Sequence, residues 1–329
     1  MKMLQKTPAG LGLLVVASVL FGNTVMFSPS VVAADYPAHP ITIIVGYSPG
    51  GANDELARIA ADSLSVSLGQ PVIVENRPGV ASIVGAGVVA KAKPDGYTLL
   101  MGASGPMVFN YALYASLPYT PQDFAPISLM GTFPVVLLTQ ASNPAKSVQQ
   151  LVEFSRQNPE KANYSASAAS FQLIMELFNN KTGAKFANIP YKGSNDSIRA
   201  VIADDVTITL VDAGPALTAV RGGRVKAIAV TSNKRLKDFP DVPTMREVGV
   251  DLNVMFWSGL LAPAGTPEPI ISRLQQEIAR IVEMPDVKRR ISALSITPTS
   301  NTSEEFARLI ATEILFWKKV AVDNKIKVN

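Results

Sequence analysis

The chain has 329 residues, is 47% hydrophobic, carries 30 Lys and Arg against 26 Asp and Glu, and contains no cysteine. The missing thiols exclude disulfides, thiolate metal sites, cysteine nucleophiles and a cysteine-linked lipid anchor. Charge is near balance with no basic stripe and no interleaved aromatics, which removes the footprint of a nucleic-acid partner.

The first 34 residues stand apart. Lys2 and Lys6 give a positive start, Leu11 to Phe21 an apolar run, and Val32-Ala33-Ala34 a small-residue site before Asp35. This is the plan of a secretory signal peptide over residues 1–34, with cleavage expected after Ala34. The run is shorter than the ~20 apolar residues a spanning helix needs and is broken at Gly22, Asn23 and Thr24. Without the two leader lysines, 28 basic residues face 26 acidic ones, about +2. Such a protein diffuses freely outside the cytoplasm.

The rest reads as alternating strands and helices. Ile41 to Tyr47 is a short β-branched run of the kind buried on both faces of a parallel sheet. Leu56, Ile59, Ala60, Leu64 and Leu68 then recur at helical spacing, and Gly69 stops the helix. Val72 to Glu75 is a second strand, Ile83 to Lys93 a helix, and Tyr97 to Met101 a third strand, which is doubly wound α/β order. A second set follows: strands over 135–139, 162–165, 206–211 and 225–231, and helices over 148–157, 171–182, 198–203 and 216–221. Two amphipathic helices, 269–283 and 303–322, close the chain. Joints rich in Pro and Gly at 131–134 and 262–267 are the candidate crossings between two domains.

Catalytic chemistry is poorly supplied. The single histidine, His39, lies in the Pro-flanked arm Tyr36 to Pro40, and the segment Gly102-Ala-Ser-Gly105 is not a nucleophile elbow. Asp204-Asp205 reads as a turn rather than a ligand pair, so no metal is expected. No cofactor is expected either: Gly50 to Glu55 is not G-x-G-x-x-G, although Glu75 ends the second strand where a ribose-binding acid would stand. The strongest positive feature is the turn Ser48-Pro49-Gly50-Gly51-Ala52-Asn53-Asp54. It joins a buried strand to an amphipathic helix, so its N–H groups and the helix dipole form an anion site, while Asn53 and Asp54 suit helix capping.

Those residues belong to an ordered set. Tyr36-Pro, Ile41-Thr-Ile-Ile-Val, Pro49-Gly-Gly with Asp54 and Ala57-Arg58, and Leu68-Gly-Gln-Pro-Val-Ile-Val-Glu-Asn-Arg-Pro-Gly79 come first. Pro94-Asp-Gly-Tyr-Thr-Leu99, Asp123-Phe-Ala-Pro126, Ile189-Pro-Tyr-Lys-Gly193, Pro240-Asp-Val-Pro-Thr244 and Pro263-Ala-Gly-Thr-Pro267 follow. The set resembles the Bug family, the extracytoplasmic solute-binding receptors of tripartite tricarboxylate transporters, along essentially the whole mature chain. The resemblance implies a periplasmic, monomeric protein of two-domain periplasmic-binding-protein fold, an α/β Venus flytrap. It places lobe 1 at 35–134 plus 259–329 and lobe 2 at 135–258. The implied ligand is a small organic carboxylate or dicarboxylate, and the implied partners are the transporter's membrane subunits.

Mapped onto this sequence, the ligand residues are Tyr47, Ser48, Gly50, Gly51, Ala52, Asn53, Asp54 and Ser104 from lobe 1, and Ser167, Ala168 and Asp212 from lobe 2. The facing loop, Ser165 to Ser170, departs from the family pattern: it is short and lacks the usual glycines, and Gln172 stands where a His is common. Asp204-Asp205 stands where Gly is usual. Phe171 and Trp257 are expected to serve packing. An exported sensor feeding a signalling partner and an exported α/β enzyme are the rival classes.

Overall fold

The computed structural model describes residues 36–326; the expected leader and its cleavage site lie outside them. The chain opens with β1 (Ile41–Val45), α1 (Ala52–Leu68), β2 (Val72–Asn76), α2 (Ile83–Ala90) and β3 (Thr98–Ala103). β1 lies between β2 and β3, parallel to both. Its alternation explains the uninterrupted apolar run. Ile41, Ile43 and Val45 enter the core beneath α1, while Ile44 enters the core on the opposite face. A strand covered by helices on both sides has no polar face to show. Gly69 adopts φ +70° and ends α1 by donating its N–H to the Ser65 carbonyl.

β3 is followed by a single wide turn of π geometry, Gly105–Phe109, and the short α3 (Asn110–Leu113). β4 (Phe124–Gln140) then runs for 17 residues. The segment 131–134, expected as a joint, is strand. Its prolines and glycine fall where the register with β9 (Met255–Pro263) slips, near Pro126 and Gly131, or where β4 changes partners, at Pro134. Bulges and partner changes tolerate residues that break regular pairing. Up to Pro134, β4 pairs with β9; from Val135 it pairs with β7 (Ile208–Asp212) and β8 (Val225–Val230).

Between these lie α4 (Val148–Gln157), β5 (Asn163–Ala166), α5 (Ala169–Thr182), β6 (Ala187–Pro190), α6 (Ser194–Ala203) and α7 (Ala213–Arg221). Asp204 takes φ +67° and ends α6, the turn its position suggested. The strand order is β2-β1-β3-β9-β4-β7-β5-β6, with β8 and β10 (Thr297–Pro298) also on β4. The 262–267 segment was expected as the second joint. It ends β9 and turns into α8 (Glu268–Glu283), whose apolar side packs in the same core as α1. Just ahead of β9, Val254 donates its N–H to the Thr231 carbonyl.

α9 (Pro285–Ala293) and α10 (Ser303–Asp323) complete the chain. α10 is about 31 Å long at 1.5 Å per residue. Phe306, Ile310, Ile314 and Trp317 lie in a core that also holds residues of α4 and α5, and Asn180 donates to Asn324 at 2.7 Å. The last helix thus ties β4 to α5. Phe171 packs on Phe256, and Trp257 on Phe306, so both aromatics fill the core as expected.

Candidate functional site

β1 delivers Tyr47 to the carboxyl edge of the sheet, where ligand crevices of open α/β sheets form. α2 comes close here because neither side has a side chain at the contact. A Cβ on Gly85 would lie 2.7 Å from the Gly46 Cα. Ala81 and Ser82 precede α2 with φ of +48° and +62°, conformations L residues rarely hold. Asn110 braces this turn by donating to the Ala81 carbonyl at 3.0 Å.

A cavity of about 310 Å³ opens beside Tyr47. Ala81, Gly105 and Asn110 line it from the first half of the chain; Ala168, Ala169 and Ser170 line it from the second. Phe109, Leu113 and Tyr114 form its apolar wall. Ala168 is the N-cap of the 14-residue α5 and supplies no side-chain cap; its carbonyl accepts the Phe171 N–H at 3.0 Å, which leaves the N–H groups of Ala169 and Ser170 without an acceptor from the cap. A helix start of this kind favours an anion. No Lys, Arg or His lines the cavity. A smaller cavity, about 180 Å³, lies beneath α10 and holds none of the expected residues.

The expected residues separate into groups. Tyr47 and Ala168 line the cavity together, Ser167 adjoins Ala168, and Ser104 is buried just before Gly105. Ser48, Gly50, Gly51 and Ala52 are exposed and do not line the cavity. Gly51 is the N-cap of α1 and has no side chain to cap with, which leaves the N–H groups of Ala52, Asn53 and Asp54 without intrahelical acceptors. Asn53 does not cap α1: its Oδ1 accepts a hydrogen bond from Ser258 Oγ at 2.5 Å.

Asp54 is buried and engaged within the turn. It accepts from the Gly50 N–H at 2.9 Å, from Arg58 at 3.0 and 3.1 Å, and from Asn76 Nδ2 at 2.9 Å. Burial opposes its ionisation, but the bonds from Arg58, Gly50 and Asn76 together hold its carboxyl below the usual range. The Gly50 N–H is likewise taken. Glu75 is paired with Arg77, and the exposed His39 stacks on Tyr97.

Asp212 ends β7 opposite Val135 and begins α7 without capping it. Burial pushes its carboxyl up to about 6. The Tyr47 phenol is also raised, first by burial and then by the Asp212 charge, with Ser82 as a neighbouring hydrogen-bond partner that opposes the shift. The two groups therefore feel each other. Phe109, Asn110, Leu113 and Tyr114 were missed by sequence reasoning, although an aromatic-rich stretch directly after the third strand was visible.

Among the described residues no group of three or more His, Cys, Asp or Glu can hold a metal, and no helix is long and apolar enough to cross a membrane. The model of the tripartite tricarboxylate transporter family receptor matches residues 56–325. The chain belongs to that family. BugT of Bordetella pertussis (strain Tohama I) is 34% identical to this receptor over 314 residues, 94% of this chain and 96% of BugT. Rpa4515 of R. palustris, solved with adipate, is 30% identical with a TM-score of 0.79, covering 89% of this chain and 100% of that one. MatC from Rhodopseudomonas palustris, solved with bound malate, is 30% identical with a TM-score of 0.74, covering 87% and 99%. The receptor has the two-lobed α/β fold of periplasmic binding proteins, and its family role is solute binding for transport.

Proposed function

We propose that the receptor captures a small organic carboxylate between the turn after β1 and the start of α5, and delivers it unaltered to the membrane subunits of a tripartite tricarboxylate transporter. One observation carries this reading: an uncapped helix start from the second half of the chain faces Tyr47 across a single cavity. The ligand carboxylate accepts the free N–H groups of α5, and the first turn of α1 with Ser48, Gly51 and Ala52 closes the rim. Asp212 and Ser104 act from behind Tyr47 and Gly105, Ser167 supports Ala168, and Gly50, Asn53 and Asp54 hold the turn. Malate in one relative and adipate in another support the ligand class.

The lobes divide at 35–134 with 259–329, and 135–258. The exchange of β4 partners after Pro134 supports the first boundary. Ligand contacts to both lobes shift the population toward a closed form that docks on the transporter. The protein acts as a periplasmic monomer after cleavage behind Ala34.

Calorimetry of residues 35–329 tests the reading with carboxylates and their matching amides. Carboxylates bind and amides do not. A silent carboxylate panel beside a tightly bound neutral solute would overturn it.

A further inference from the structure

The lining of the cavity is selective beyond its preference for one anion. Phe109 and Leu113 are buried side chains whose faces form its wall, and Tyr47 and Tyr114 flank them. Its polar groups are few, and they are unevenly placed. Donors cluster at the start of α5, where Ala169 and Ser170 present helix N–H groups. Of the lining residues, Asn110 has both Nδ2 hydrogens used, on the Ala81 carbonyl at 3.0 Å and the Tyr119 hydroxyl at 3.2 Å, so its amide has no donor left for a ligand.

A dicarboxylate seated on α5 puts its second charge against aromatic and aliphatic faces and the Asn110 amide, whose donors are already used. No cation meets it, and a charge taken from water without a partner is strongly disfavoured. An aromatic ring in the same place gains offset or edge contacts with Phe109 and Tyr114. A volume of about 310 Å³, at the low end of the roughly 300–1,000 Å³ usual for ligand pockets, suits one ring with its carboxylate.

We propose that the receptor's ligand is an aromatic monocarboxylate, selected over aliphatic dicarboxylates by the Phe109–Leu113–Tyr114 wall. The assignment rests on the carboxylate reading above, and the probes separate the two. Residues 35–329 are titrated calorimetrically with benzoate, benzamide, adipate and malate. Benzoate binds at least tenfold more tightly than adipate or malate, and benzamide does not bind. Adipate or malate equal to benzoate overturns the aromatic assignment and leaves the carboxylate reading standing. Benzamide equal to benzoate overturns both, and silence from every probe overturns the aromatic assignment.

The half-buried Tyr114 gives the matching variant. Tyr114→Ala lowers benzoate affinity at least fivefold while its thermal midpoint stays near that of the parent. Unchanged affinity in a folded Tyr114→Ala protein contradicts the wall's role. Tyr114→Phe restores binding if the ring face is the contact; failure to restore it contradicts the stacking argument.

Discussion

Asp54 Oδ2 accepts the Gly50 N–H over 2.9 Å, closing the turn between β1 and α1 from within. The same carboxylate takes Arg58 and Asn76, so the acid expected to cap α1, and also mapped among the ligand residues, braces the turn from within. Asp54→Ala leaves the Asn76 amide without this acceptor and frees the glycine turn. We expect a loss of roughly 1–3 kcal/mol of stability, read from the urea midpoint; the exposed Arg58 adds little. Because the folded carboxyl lies below its usual range, its contribution is complete above the unfolded value near 4 and disappears as pH falls further. An unchanged midpoint at pH 7 would contradict the bracing role.

Trp257 Nε1 donates to Glu313 Oε2 at 2.8 Å, linking β9 to α10. Burial pushes the Glu313 carboxyl up to about 7, against the opposing effect of the Trp257 bond. A folded value above the unfolded one means folding takes up a proton between them, so this group makes the protein more stable as pH falls from 8 to 5. Glu313→Gln keeps an acceptor for Trp257 and removes the buried charge. The variant is expected to be more stable than the parent by about 1–3 kcal/mol at pH 8, and to lose that advantage near pH 5. Thermal unfolding at the two pH values checks it.

Asp212 titrates at about 6 in the folded protein, raised by burial. Above that pH its charge opposes an anionic ligand; below it the carboxyl is neutral. Carboxylate affinity should therefore rise roughly threefold or more between pH 7.5 and 5.5, where simple carboxylic acids remain ionised. Asp212→Asn should bind equally at both pH values, near the parent's low-pH affinity. A parent whose affinity falls on acidification would contradict the placement of this charge.

Much of the first half was legible because its cause is local. The apolar run of β1, the 3.6-residue spacing of α1 and the stop at Gly69 all follow from periodicity and turn chemistry. β9 was missed because Met255 to Pro263 carries Ser258, Gly259 and a terminal proline. It is strand through pairing with β3 and β4, a long-range effect no local pattern encodes. β4 was cut short because Pro126, Gly131 and Pro134 read as breakers. Of the cavity's lining, Tyr47 was expected from the end of the first strand and Ala168 from the facing loop 165–170. Phe109, Asn110, Leu113 and Tyr114 were not, since a single wide turn after β3 aims them and leaves no repeating signal. Asn53 looked like a cap until Ser258, 205 residues away, engaged its oxygen.

Ala168→Asp shows whether the start of α5 receives the ligand's carboxylate. The new side chain supplies the missing cap of α5 and places a carboxylate where the ligand oxygen would sit. Capping adds about 1 kcal/mol of stability. In calorimetry at pH 7.5, Ala168→Asp is expected to raise the thermal midpoint and abolish carboxylate binding. A folded Ala168→Asp protein that binds the same carboxylate as tightly as the parent would contradict it.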